Sequence, residues 1–175
     1  MAQLMLLFQV GAERYALETT SVVEIIHRVE LSKIQGSAAA DGLPAMAGRF
    51  NYHGQIVGVL DLTQLLGGGT SRSALGTRIV LVRLMPANGL AEKEQRLIGL
   101  LVEQVTATLE SHQFDRIARD SSDHDQPAYF GETLLYQQEM IQSIRPEYLL
   151  GDRPYETLLP ALPPHSEVKI GAVIG

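Results

Sequence analysis

The chain of 175 residues reads as a mainly β protein made of two copies of one small antiparallel barrel. Three observations carry that reading. Short apolar runs recur between Gly, Pro and Asn turn signals, with only brief helical patterns among them. The stretch Ala47 to Leu62 returns in degraded form between Gly131 and Leu150. Gly48 matches Gly131 (131 − 48 = 83) and, after one inserted residue, Ile56-Val57 matches Met140-Ile141 and Leu65-Leu66 matches Leu149-Leu150 (150 − 66 = 84). Finally, Ala16-Leu17 followed by Val22 matches Gly99-Leu100 followed by Val105 (99 − 16 = 83). A period of this length is too long for a solenoid unit and suits a duplicated domain. Residues 1–150 hold the two barrels, and residues 151–175 form a Pro-rich tail.

Taken in order, Leu4 to Val10 is an apolar strand that turns at Gly11-Ala12-Glu13-Arg14 into Tyr15-Ala16-Leu17. Thr19-Thr20-Ser21 offers a helix cap, which predicts a short helix with Val22, Val23, Ile25 and Ile26 as its apolar residues. Four apolar positions in five residues cannot all face inward on one short helix, so some are left for a partner. Val29 to Ile34 alternates at period 2 and predicts a strand. Gly36 to Gly42 is a small-residue loop, and Pro44 places a helical turn before Gly48. Gln55 to Leu60 is a strand. Asp61 caps a brief helix that stops at Gly67-Gly68-Gly69. Thr77 to Leu84 and Leu97 to Val102 are strands joined by a polar hairpin loop, and Glu103 to Leu109 is a short helix or a strand. Ser111 to Pro127 is an acidic, Ser-rich loop. Two strands lie between Tyr129 and Ser143, and a helical turn lies between Arg145 and Leu150. Four prolines forbid a regular helix beyond Gly151, so the tail is extended or disordered. Val168 to Ile174 has the composition to add a strand to an edge.

Composition excludes several functions. The net charge of −6, with 14 basic and 20 acidic residues, repels phosphate backbones, so nucleic acid is not expected as a partner. Cysteine is absent, which removes disulfides and thiolate metal sites. The start lacks a basic segment and a cleavage signal, and no apolar run reaches the roughly 20 residues that cross a bilayer. A cytoplasmic protein without direct membrane insertion is expected. The histidines His27, His53, His112, His124 and His165 show no metal-ligand spacing. Asp120, Asp123 and Asp125 do not match a calcium loop, and Gly67-Gly68-Gly69-Thr70-Ser71 lacks the lysine of a phosphate cradle. No paired carboxylates or nucleophile elbow are visible. The expectation is a scaffold, not an enzyme, with neither cofactor nor metal.

One motif carries more. Gly48-x-x-Asn51-x-His53-Gly54-x-x-x-Gly58-Val59-x-Asp61-Leu62 resembles the signature of the CheW-like domain, the chemotaxis coupling adaptor, in which Arg and Pro stand where this chain has His53 and Gly58. Phe8-Gln9-Val10-Gly11, Tyr15-Ala16-Leu17, Val22-Val23-Glu24-Ile25, Thr77 to Val82 and Ile98 to Val102 resemble that family in the same order. The resemblance spans about residues 4–150. It implies two intertwined SH3-like five-stranded β-barrels around a hydrophobic groove, and a non-enzymatic adaptor. The implied partners are a chemoreceptor's cytoplasmic hairpin tip and the regulatory domain of a CheA-type histidine kinase, in receptor arrays at the membrane. It also implies that Val22, Glu24, Asn51 and His53 contact the receptor, while Gly48, Gly54 and Asp61 shape the motif.

His53 changes that contact. Arg is a permanent charged fork, whereas His titrates near neutral pH, so His53 means a different receptor sequence, a weaker pH-sensitive contact, or a residue that only fills a turn. Gly58 loosens a strand that Pro would stiffen. Gly48 to Tyr52 and Tyr129-Phe130-Gly131 look more like adaptors of Wsp-type surface-sensing systems than the flagellar adaptor. The alternative reading is a double-barrel regulatory module that binds a small ligand in its groove.

Overall fold

A computed structural model describes residues 2–33, 45–67, 69, 74–84, 96–117 and 125–151. The tail after Gly151, the loops 36–42 and 85–95, and His124 and His165 lie outside the described residues.

The first hairpin forms as its sequence suggests. Strand β1 (Leu4–Val10) pairs antiparallel with β2 (Glu13–Glu18) across a turn where Gly11 adopts φ 62°. Met5, Leu6, Leu7 and Phe8 are buried in succession, because both faces of β1 are covered. A 3₁₀ turn follows at Thr19–Ser21.

The predicted helix after it is a strand instead. β3 (Val22–His27) pairs antiparallel with β6 (Arg78–Leu84), which matches the chain's β-branched Val-Val and Ile-Ile better than a helix does. A strand also resolves the excess of apolar residues. Val22 and Ile26 are half-buried, and Val23 and Ile25 are exposed.

Two further expectations change. Within Val29 to Ile34 the described residues form a single bridge, Ser32 to Arg49, instead of a strand, and Ile34 lies outside them. In place of a helical turn before Gly48, strand β4 (Met46–Tyr52) begins at Met46, while Leu43 and Pro44 lie outside the described residues.

β4 folds back on β5 (Gln55–Asp61), which runs into a one-turn helix α1 (Leu62–Leu65). β6 then pairs with β7 (Arg96–Val102), and β8 (Gln104–Glu110) is a strand. The expected acidic loop holds a 3₁₀ turn at Ser111–Gln113 and the three-residue strand β9 (Asp115–Ile117), and residues 118–124 lie outside the described set. β10 (Phe130–Tyr136), β11 (Glu139–Ile144) and a 3₁₀ turn at Pro146–Tyr148 complete the described chain.

The strands form two sheets, ordered β8-β1-β2-β11-β10-β9 and β3-β6-β7-β5-β4. Replacing β3, β6, β7, β5 and β4 by β8, β1, β2, β11 and β10 turns the second order into the first. The start of β2 and that of β7 are 83 residues apart (96 − 13), and those of β4 and β10 are 84 apart (130 − 46). Each sheet takes strands from both halves of the chain. The junctions are parallel pairs: Tyr15 opposite Gln142 in one sheet, Gly58 opposite Ile98 in the other. The extra sixth strand, β9, has its counterpart in the lone Ser32–Arg49 bridge.

Three apolar clusters follow from this exchange. Met5, Leu7, Ala16, Phe114, Leu134 and Ile141 fill the barrel of the first sheet. Val57, Val59, Ile79, Leu81 and Leu101 fill that of the second. The largest cluster lies between the barrels and includes Leu6, Phe8, Leu17, Leu60, Val80, Leu100 and Ile144. Alternate residues of β6 divide between the barrel interior (Ile79, Leu81) and the central cluster (Val80, Val82), so the strand is buried on both faces.

Candidate functional site

The signature motif folds as the β4–β5 hairpin. Tyr52 lies opposite Gln55, and the two residues between them, His53 and Gly54, have φ of 49° and 86°. Positive φ at both central positions is the geometry of the tight primed turn that matches strand twist. Gly54 adopts it without strain, and His53 is the uncommon non-glycine there. The Asn51 side-chain oxygen accepts from the Gly54 backbone N–H at 2.8 Å, closing the turn from within.

Gly48 and Asp61 hold the ends of this hairpin. Gly48 has φ 149°, and a Cβ on it would lie 2.8 Å from both the Leu31 Cβ and the Ser32 carbonyl oxygen. Asp61 is buried and accepts from the Thr63 N–H at 3.0 Å and the Gln64 N–H at 3.3 Å, capping α1. Gly58 sits inside the sheet between Arg49 and Ile98, where a backbone N–H can serve the ladder.

β3 and β4 are the two edges of the second sheet. They are joined by side chains: the Tyr52 hydroxyl donates to the Glu24 carboxylate. That hydrogen bond, more than desolvation, holds the Tyr52 phenol above its ordinary range, so it remains a protonated donor at neutral pH. The His53 ring meets the Tyr52 ring edge-on, with centroids 4.4 Å apart. Tyr52 also packs against the core of the second barrel. Glu24, Asn51 and His53 are therefore gathered at one end of this barrel. Val22 lies two residues from Glu24, opposite Val82, and packs on the central cluster. Gly48 and Asp61 are away from that end, in supporting positions.

Tyr52 is the residue that the motif reading missed. It fills the unspecified position of the motif between Asn51 and His53, and its role depends on a contact with β3 that no local pattern encodes. A usable signal existed in the duplication, since Tyr136 lies 84 residues on (136 − 52).

The described surface also contains a cleft of about 620 Å³ on the first sheet, lined by Met5, Phe114, Leu134, Arg116, Glu132 and Arg145 among others. It belongs to the other barrel. Among the described residues no three His, Asp or Glu side chains are grouped to hold a metal ion, and no helix is long and apolar enough to cross a membrane.

Two exchanged barrels, fused by an apolar core and carrying a polar hairpin end, define a β scaffold with a surface suited to protein contacts. The chain belongs to the CheW family: the model of the CheW-like domain matches residues 4–153. Membership places it among adaptors of chemotaxis-type signal transduction, not among enzymes. Its fold is similar to that of the scaffolding protein TtCheW from Thermoanaerobacter tengcongensis, with a TM-score of 0.66 at 21% identity. The match covers 86% of this chain and 88% of that one. Comparison with curated protein sequences gives no match.

Proposed function

We propose that this chain couples the cytoplasmic hairpin tip of a methyl-accepting receptor to the regulatory domain of a CheA-type histidine kinase. One barrel edge docks the kinase domain. The receptor tip contacts Val22, Glu24, Asn51 and His53. The observation that favours this site is the pairing of a polar hairpin end with exposed Val23 and Ile25 on an edge strand. Such a surface offers apolar burial and directed hydrogen bonds together, as protein interfaces do. On this reading residues 1–150 are the binding unit, residues 151–175 are an appended tail, and the protein works in the cytoplasm beneath its receptors.

Signal transfer then follows from linkage. A receptor state that binds the adaptor–kinase complex more tightly shifts the kinase by that difference in affinity, and no chemistry by the adaptor is required. The test is a pull-down with the C-terminal regulatory domain of a co-encoded CheA-type kinase. Retention at micromolar concentrations is expected, and no retention would sink the adaptor reading. The cleft of about 620 Å³ is the observation that favours a small-ligand module instead. A ligand-dependent thermal shift with no affinity for kinase or receptor would identify that module.

A further inference from the structure

We infer that Tyr52 is a positioning residue for the proposed receptor site, holding the Glu24 carboxylate outward as a preset acceptor for a cationic Arg or Lys of the partner. The inference rests on the adaptor reading and adds to it the residue that orients the acid.

Four observations carry it. Glu24 is exposed on the free edge of β3, where a lone carboxylate would sample several rotamers. The Tyr52 hydroxyl, fixed by a ring packed on the barrel core, donates to the Glu24 Oε2 and restricts that freedom. The donor is a neutral phenol, so it brings no counter-charge to the carboxylate. Its Oε1 has no partner among the described residues and remains available. Finally, His53 packs on the Tyr52 ring and makes no ion pair with Glu24, so the orienting role falls to the phenol.

The other barrel supplies the control. Tyr136 occupies the matching place in the β10–β11 hairpin, but the residue matching Glu24 (24 + 83 = 107) is Ala107. There the Tyr136 hydroxyl accepts from the Gln137 side-chain amide at 3.2 Å, within its own turn. That barrel forms without a tyrosine–carboxylate contact across strands, so the fold does not require one. Its presence in one barrel alone separates a binding role from a folding role.

The charges around the acid agree. Its hydrogen-bond donor is the Tyr52 phenol, with the His53 ring against that tyrosine, and among the described residues no Arg or Lys forms an ion pair with Glu24. A desolvated acid–cation pair at an interface is directional and selective, and a preset acid loses less rotamer freedom on forming it.

A double-mutant cycle tests the inference on the full chain, with a receptor cytoplasmic hairpin fragment as the probe and the kinase regulatory domain as the second ligand. Tyr52→Phe should weaken the hairpin about fivefold, because the acid must then be ordered on binding. It should leave kinase affinity and the thermal midpoint unchanged. Glu24→Gln should weaken the hairpin more, and adding Tyr52→Phe to it should cost nothing further. Tyr136→Phe should have no effect on either ligand. Unchanged hairpin affinity in Tyr52→Phe, additive losses in the double variant, or equal loss of kinase binding and stability would overturn the positioning role. If the unmodified chain binds the kinase domain but not the hairpin, the receptor reading itself fails, and the inference falls with it. That failure appears in the unmodified chain and is thus distinct from a failure seen only in the variants.

Discussion

The two long hairpins, β4–β5 and β10–β11, have nearly the same backbone and different surfaces. Each tip follows a tyrosine, Tyr52 or Tyr136, and each turn has two residues at positive φ: His53 and Gly54 in one, Gln137 and Gln138 in the other. The first tip reaches across to Glu24 on the opposite edge of its sheet. The second is tied to its neighbour β2 by an exposed Arg14–Glu139 ion pair at 2.8 Å. An exposed pair of that kind contributes about 0.2–1 kcal/mol. The difference shows where constraint acts in a duplicated fold. Backbone geometry is common to both copies because the barrels need it, and the polar contacts at the tips differ, as the proposed receptor site at the first tip alone would require.

The comparison can be broken most severely at the core that joins the barrels. Phe8 is 1% exposed in the central cluster, so Phe8→Ala should cost about 4 kcal/mol. Both barrels should still melt in one transition, because each sheet contains strands from both halves. Urea unfolding followed by tyrosine fluorescence and by far-ultraviolet circular dichroism checks this, and separate midpoints would mean the barrels are independent.

A smaller effect should separate the paired glycines. Gly48→Ala forces a Cβ against the Ser32 carbonyl at a positive φ, which should cost about 3 kcal/mol. At Gly131 the obstacle is chiefly the Ser143 hydroxyl, a side chain that can rotate, so Gly131→Ala should cost about 1 kcal/mol. Thermal denaturation of the two variants gives the order, and the reverse order would contradict the geometry.

The smallest change belongs to the second turn. Gln138 holds φ 68° where the first turn has glycine. Gln138→Gly should raise stability by about 0.5 kcal/mol, the relief of left-handed strain minus the greater backbone entropy that glycine loses on folding. A lower melting temperature in that variant would show that Gln138 contributes more through its side chain than it costs in its backbone.

What could be read from the residues follows the physics of each segment. β1, β5, β6 and β7 were legible because strands buried on both faces are continuous apolar runs. β3 was hidden because Thr19-Thr20-Ser21 resembles a helix cap but forms a 3₁₀ turn, after which the β-branched residues extend as a strand. The start of β4 was hidden by the proline signal at Pro44. The motif correctly led to the hairpin, and Asn51 and Gly54 have evident roles in its turn. Tyr52 was not legible, because its partner Glu24 is 28 positions away and the two meet only when the sheet curls its edges together. The exchange of strands was equally hidden, since an offset of 83 reports that two units are alike and not which strands they share.

That exchange has a consequence for a chain made from its N-terminus onward. The second sheet has all its strands once residue 102 has emerged. β1 and β2 are made before any strand of that sheet, yet their own sheet waits for β8 and then for β11, which ends at Ile144. Throughout that interval the apolar faces carrying Leu7 and Ala16 lack the strands that cover them. Of the two sheets, the one whose strands start to appear earlier is the later to be completed, so during translation the β1–β2 hairpin is the segment with most need of chaperones and the most open to mispairing with a neighbouring nascent chain.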